Sequence, residues 1–356
     1  MAETARRRFG FVRDAAIGTG VALVLWAGCE ATLRAASPQL PRIEEIQGLS
    51  RAVEDRVLGH RYRPSTRTVQ QTPEFIAEYI IDADGRRVGT QHPDALGVRV
   101  LVLGDSFTFG LGVAPDDVWT SVMVRALVSR GLRVDLVNAG VEGYDTRAEA
   151  HWLFELAPSV RPQVVLLALA ANDVYTNRPL DDAPDRSEEG QRGGGFALHS
   201  VAWAWRLVVQ SDWLYTRLFL VASPHTEYYA TPTTQHVADQ LAVTRDLIGR
   251  MQSYCRERGV EFAVVSIPQQ FGVVATANGY RLRGVDTDVI DDHLVGLAHE
   301  RGFPWIAMRQ PLADAYRATG RDAYYRVDGH LTAEGDHIVG EAVADALEPL
   351  VARSRH

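Results

Sequence analysis

From residue 98 onward, short apolar runs alternate with stretches of helical periodicity, and this alternation constrains the fold more than any other feature of the chain. The runs are Val98 to Leu103 (broken only by Arg99), Val134 to Val137, Val164 to Leu169, Phe262 to Ile267 and Trp305 to Met308. They are continuously apolar rather than alternating, the pattern of strands buried on both faces of a parallel sheet. Between the first two runs, Trp119, Val122, Met123, Ala126 and Leu127 fall at i, i+3, i+4, i+7 and i+8, one face of a helix. Thr146 to Leu156, Thr233 to Arg258, Thr287 to Arg301 and Thr332 to Ala352 also read as helices. Repeated strand–helix–strand units predict an α/β fold with a doubly wound parallel sheet, whose ligands gather at the carboxyl ends of the strands.

The flanking segments differ in kind. Arg6, Arg7, Arg8 and Arg13 precede Ala15 to Cys29, an uncharged run rich in Ala, Val, Leu and Gly. That is the layout of an export signal or signal anchor, although it is shorter than a full span of about 20 residues. Ala31 to Leu33 extend it past Glu30. The arginines hold their end in the cytoplasm. Residues 1–36 are therefore expected to be a cytoplasmic basic stub plus a membrane helix, or a cleaved signal peptide, with the remainder outside the cytoplasm. Residues 37–70 are polar, carry Pro38, Pro41 and Pro64, and read as a linker or stalk. Glu74 to Ile81 is strand-like, followed by a turn at Asp84-Gly85, so the main domain is expected over 71–354. An insertion at about 177–221 opens with a polar, glycine-rich stretch and continues with Trp203, Trp205, Trp213, Tyr215 and Phe219. A helix packed on the core is the expectation there, with a lid or membrane-facing flap as the functional alternative.

Composition removes several chemistries. All 37 basic residues are arginine. Without lysine there is no Schiff base, no pyridoxal-phosphate aldimine, no P-loop lysine and no protein-kinase core. A net charge of -8 argues against a nucleic-acid partner. The two cysteines, Cys29 and Cys255, form neither a disulfide framework nor a four-cysteine zinc site, and Cys255 reads as a buried small hydrophobe in a helix.

What remains is a set of residues at strand ends. Gly104-Asp105-Ser106-Phe107-Thr108-Phe109-Gly110 closes the first strand and puts Ser106 at the carboxyl edge of the sheet. A serine nucleophile needs a base, and Asp328-Gly329-His330-Leu331-Thr332 supplies a histidine beside an acid. In extended backbone residues i and i+2 share a side, which would bring Asp328 to the His330 imidazole. Thr332 is placed to cap the next helix. Asp291-Asp292-His293 has a similar composition but falls on a helix surface. Asn138-Ala139-Gly140 follows the second strand and Asn172-Asp173 the third. The Ser106 and Gly140 N–H groups and the Asn172 amide are the candidate donors to an oxyanion.

In motif order and spacing, G-D-S-F-T-F-G, N-A-G-V-E-G-Y, A-N-D and D-G-H-L resemble the GDSL or SGNH hydrolase superfamily over residues 98 to 350. The family's four naming residues map onto Ser106, Gly140, Asn172 and His330. The resemblance implies a flavodoxin-like three-layer α/β/α sandwich and a Ser106–His330–Asp328 esterase mechanism that uses no metal or cofactor. The ester would be an acyl or acetyl group on a glycan, lipid or small molecule. Two departures stand out. The usual G-x-N-D block reads Ala170-Ala171-Asn172-Asp173, and the usual D-x-x-H block is D-x-H. The shorter block resembles N-terminally anchored, exported members and polysaccharide O-acetyltransferases. An O-acyltransferase acting on an exported or envelope polysaccharide is therefore the alternative, and a non-catalytic glycan-binding protein the third reading.

Overall fold

The computed structural model describes residues 2–36, 44–46, 52–72, 74–182, 198–320 and 322–354. Helix α1 (Ala2–Ala36) comes first. Strands β1 (Glu44–Ile46), β2 (Ala52–Asp55), β3 (Gly59–Tyr62), β4 (Thr66–Gln71) and β5 (Ile76–Ile81) make an N-terminal β module, in which β1-β4-β5 form one antiparallel sheet and β2-β3 a hairpin. The alternating region then runs β6 (Val98–Leu103), α2 (Ser106–Phe109), α3 (Trp119–Ser129), β7 (Val134–Asn138), α4 (Thr146–Val160), β8 (Val164–Ala170) and α5 (Ala171–Thr176). After the insertion helices α6 (His199–Val209) and α7 (Asp212–Ala222) it continues α8 (Gln235–Arg256), β9 (Glu261–Ile267), α9 (Gln270–Ala277), α10 (Val289–Arg301), β10 (Trp305–Ala307), α11 (Arg309–Thr319) and α12 (Ala333–Arg353).

The five apolar runs are the five strands of one parallel sheet, ordered β7-β6-β8-β9-β10. Numbered by appearance this is 2-1-3-4-5, the flavodoxin-like order, with its switch point between β6 and β8. Successive side chains of a strand face opposite layers. Val100 and Val102 point toward Trp119, Met123, Leu312 and Val343 of α3, α11 and α12, whereas Leu101 and Leu103 point toward Leu153, Ile248 and Leu297 of α4, α8 and α10. Burial of both faces accounts for the near-continuous apolar runs of β6, β8 and β9, whereas the edge strand β10 is half-buried to exposed. Asp336, buried in the first turn of α12, accepts the Trp119 N–H at 2.9 Å and so caps α3 from its neighbour. Burial raises this carboxyl well above the usual carboxylate range. Cys255 lies buried in α8, and burial pushes its thiol up to about 12.

Part of the expected stalk over 37–70 is folded against this core. Tyr62 and Tyr79 pack their rings 5.0 and 5.1 Å from that of Phe109 in α2. Buried Arg87 donates to the carbonyls of Phe109, Gly110 and Val113 at 2.9, 2.5 and 2.5 Å, with its guanidinium over the rings of Tyr79 and Phe109. The period-2 signal of β4 is carried by polar residues: Thr66, Thr68 and Gln70 are the buried set. A reading that scores only apolar residues sees no strand there. Residues 37–43 and 47–51 lie outside the described set.

The insertion forms two helices rather than one, broken at Ser211, whose Oγ accepts the Leu214 N–H. Phe219 of α7 stacks on Phe271 of α9 at 4.3 Å, and Arg326 binds Asp212 at 2.7 Å and the Val209 carbonyl at 2.9 Å. The opposite faces leave Trp203, Trp213 and Val221 exposed. The Trp205 side chain and residues 183–197 lie outside the described set. Glu30, which interrupts the N-terminal apolar segment, is buried and accepts the N–H groups of His199 and Ser200, each at 2.8 Å, so α1 caps α6. Ile17, Val21, Val24 and Leu25 are exposed, and among the described residues no helix is long and apolar enough to cross a membrane.

Candidate active site

Strand β6 ends at Gly104, where the chain turns sharply into α2. A Cβ at Gly104 would stand 2.1 Å from Thr108 Oγ1 and 3.1 Å from the Ala168 Cβ, so only glycine lets the turn close against β8. The next residue, Asp105, is the N-cap of α2: its Oδ1 accepts the Phe107 N–H at 2.9 Å. Ser106 is thus the first residue of the short helix, half-exposed at the carboxyl edge of the sheet, and its N–H has no intrahelical acceptor by position.

The candidate base comes from the far end of the chain. His330 Nε2 lies 2.7 Å from Ser106 Oγ, and His330 Nδ1 lies 2.6 Å from Asp328 Oδ1. The acid–imidazole–hydroxyl chain is therefore continuous. Its backbone is not the extended one expected. Gly329 sits at φ +87°, a left-handed turn, and Asp328 Oδ1 also accepts the His330 N–H at 3.3 Å. The loop closes through Gly329 N–H to the Tyr325 carbonyl (2.9 Å) and Tyr325 N–H to the His330 carbonyl (2.8 Å). The Phe107 ring packs 5.0 Å from the imidazole, and Thr332 caps α12 through the Gly335 N–H as expected.

Of the other expected donors, Asn172 stands across the switch point, at the start of the helix after β8. Its Nδ2 donates one proton to Asp105 Oδ2 at 2.8 Å. An amide nitrogen has two protons, so this bond fixes the group and leaves the other for a ligand. Gly140 is different. It packs directly on α2, where a Cβ would stand 2.5 Å from the Phe109 nitrogen and 2.6 Å from the Thr108 carbonyl carbon. Its N–H donates to Asn138 Oδ1 at 2.9 Å, and Asn138 Nδ2 in turn donates to the Thr108 carbonyl at 2.8 Å. The expected oxyanion donor at Gly140 is thus engaged within the fold, and the residue serves the close approach of β7's loop to α2. The pair Asp291 and His293 lies apart on α10, where His293 Nδ1 bonds the Val289 carbonyl and Asp291 accepts from the Trp305 indole at 3.0 Å.

Beneath the site lies a cluster of acids. Asp105 is fully buried, and burial raises its carboxyl, opposed by the Asn172 and Phe107 hydrogen bonds. Glu149 and Asp173 are also fully buried, and burial followed by carboxylate repulsion pushes both well above their usual range. Asp173 Oδ2 accepts the Ala170 N–H at 2.8 Å, while neither Glu149 oxygen has a partner among the described residues. Burial thus favours the protonated form of Glu149. The roles of Asp105, Asn138, Asp173 and Glu149 emerge only from the structure. Asp105, Asn138 and Asp173 each stand beside or within a quoted motif, which was the available signal; Glu149 lies in an ordinary helical stretch and gave none.

The sequence model of the GDSL-like Lipase/Acylhydrolase family matches residues 102–338. An arylesterase of Vibrio mimicus is 33% identical over 75 residues, which is 21% of this chain and 38% of that protein; the match therefore spans well under half of the relative's length. Among solved structures, TesA aligns at a TM-score of 0.43 and 17% identity, covering 71% of this chain and 99% of the other. A lipase/acylhydrolase from Enterococcus faecalis aligns at 0.41 and 15%, covering 70% and 95%.

Proposed function

The chain belongs to the GDSL-like Lipase/Acylhydrolase family, and on that premise we propose that it is a serine esterase working through an acyl-enzyme on Ser106. The observation that carries the reading is the unbroken line Asp328–His330–Ser106, with separations of 2.6 and 2.7 Å. His330 Nε2 takes the Ser106 proton as Oγ attacks the ester carbonyl. Asp328 fixes the tautomer that leaves Nε2 as the acceptor and stabilises the imidazolium that forms. The Ser106 N–H and the second proton of the Asn172 amide bind the developing oxyanion. His330 then returns its proton to the leaving alcohol, and a water activated by the same imidazole releases the acid. The substrate class within this reading is an ester on a glycan, lipid or small molecule.

The place of action within the same proposal is outside the cytoplasm, with the N-terminal segment as anchor or export signal. Its support is the order Arg6, Arg7, Arg8, Arg13 followed by the uncharged Ala15 to Cys29. Protease treatment of intact vesicles tests the topology, since cytoplasmic exposure of the catalytic domain contradicts it.

The reaction is tested by supplying a short-chain p-nitrophenyl ester with and without a polysaccharide acceptor. Release of free acid at the same rate in both is the expected result. Release of p-nitrophenol that requires the polysaccharide, with the acyl group recovered as an ester on it and not as free acid, replaces hydrolysis with O-acyl transfer on the same acyl-enzyme.

A further inference from the structure

The loop that carries Asp328 and His330 is held from outside the residues matched by the family. Glu74, between β4 and β5 of the N-terminal module, accepts the Val327 N–H at 3.1 and 3.0 Å with its two oxygens and the Asp328 N–H at 2.8 Å. These are the successive amides that lead into the Asp328–Gly329–His330 turn. The other backbone bonds of the loop tie it to itself, through Tyr325, Gly329 and His330. Glu74 is fixed in its own turn. Thr72 Oγ1 accepts the N–H groups of Glu74 and Phe75 at 3.2 and 3.1 Å. The Phe75 ring packs 5.0 Å from that of Tyr325, whose hydroxyl donates to the Gly112 carbonyl at 2.9 Å. Tyr79 of β5 accepts the Gly112 N–H at 2.8 Å. One side of the module thus grips the loop after α2, and its rim grips the histidine loop.

We propose that Glu74 is a positioning residue for the reaction, setting the Asp328–His330 turn so that the imidazole meets Ser106 Oγ. The assignment rests on the serine-esterase reading and extends it to the N-terminal module. A carboxylate accepting two adjacent backbone amides makes charge-assisted bonds that resist rotation of the turn. Gly329, with its left-handed φ of +87°, gives the turn little stiffness of its own. Glu74 is only half-buried and Val327 is exposed, so truncating Glu74 opens no core cavity. Misplacement of a catalytic group by about 1 Å costs on the order of a hundredfold in rate.

The test compares kcat and KM for p-nitrophenyl acetate in the full chain, with thermal unfolding measured alongside. Glu74→Ala and Glu74→Asp, whose side chain is one methylene shorter, are expected to lose about tenfold to a hundredfold in kcat with KM within about twofold and unfolding nearly unmoved. Glu74→Gln keeps an acceptor oxygen at the right reach and is expected to recover kcat to within about threefold of wild type. A merely structural role would lower kcat in step with stability and show no rescue by glutamine. Wild-type kcat in Glu74→Ala or Glu74→Asp overturns the assignment, as does a Glu74→Gln variant no better than alanine. Ser106→Ala, run beside them, is expected at background; if it turns over like wild type, the esterase reading falls and the positioning role falls with it.

Discussion

Asn172 and Asp105 join the two strands at the switch point of the sheet: the Asn172 amide donates to the buried Asp105 carboxyl at 2.8 Å. Asp105 follows β6 and Asn172 follows β8, so the bond aligns the proposed oxyanion donor with the residue preceding the proposed nucleophile. The same carboxyl caps the helix that begins at Ser106. Two functions of the site, presenting the hydroxyl and aiming the amide, therefore depend on one side chain.

Removing either partner should be felt at the chemical step. Asn172→Ala is expected to lower kcat by about a hundred- to a thousandfold with little change in KM, the size of one lost oxyanion donor. Asp105→Ala should approach that loss and also cost about 1 kcal/mol in stability through the missing cap. Steady-state kinetics and chemical denaturation read both. A kcat within a few-fold of wild type in Asn172→Ala would remove it from the oxyanion site.

Gly140 is expected to matter by shape rather than as a donor. An added methyl would stand 2.5 to 2.6 Å from backbone atoms of Phe109 and Thr108, which cannot swing aside as a side-chain tip can. Gly140→Ala should destabilise the fold by about 1–3 kcal/mol and displace α2, so that melting temperature and turnover fall together. Full activity with unchanged stability would show that the close approach is not needed.

The buried Glu149 gives the protein a pH signature. Its folded-state pKa is raised well above 4.5, first by desolvation and then by Asp173. The folded protein therefore holds a proton that the unfolded chain releases above about pH 4.5, and stability falls as pH rises from there toward the folded pKa, by at most about 1.4 kcal/mol per pH unit. Glu149→Gln removes this contribution. Denaturation curves between about pH 5 and pH 8 should show a shallower loss of stability in the variant, with Asp173 and Asp336 still contributing. Identical slopes would mean that Glu149 ionises freely in the folded state.

The sheet was legible because burial on both faces leaves a continuous apolar signature, as in Val164 to Ala170, where every residue is buried. Ser106, His330 and Asn172 stand out in the sequence as candidates because each falls at the carboxyl end of a strand or in a loop before a helix. The N-terminal β module was not, because β4 buries Thr66, Thr68 and Gln70 rather than apolar residues. The left-handed turn at Gly329 leaves no sign in the sequence, since spacing alone does not distinguish such a glycine from a strand. Glu74 left no local sign at all: its contacts are with amides more than 250 positions away in the chain. Nor did spacing reveal that the Gly140 N–H already has a partner in Asn138.

The central claim is that Ser106 Oγ is the nucleophile and that His330 activates it. Incubating the folded protein with a fluorophosphonate and weighing the intact chain tests this most directly. Wild type is expected to gain one adduct, Ser106→Ala none, and His330→Ala an adduct formed at least about a hundredfold more slowly, as loss of the general base requires. Labelling of Ser106→Ala at the wild-type rate would contradict the account.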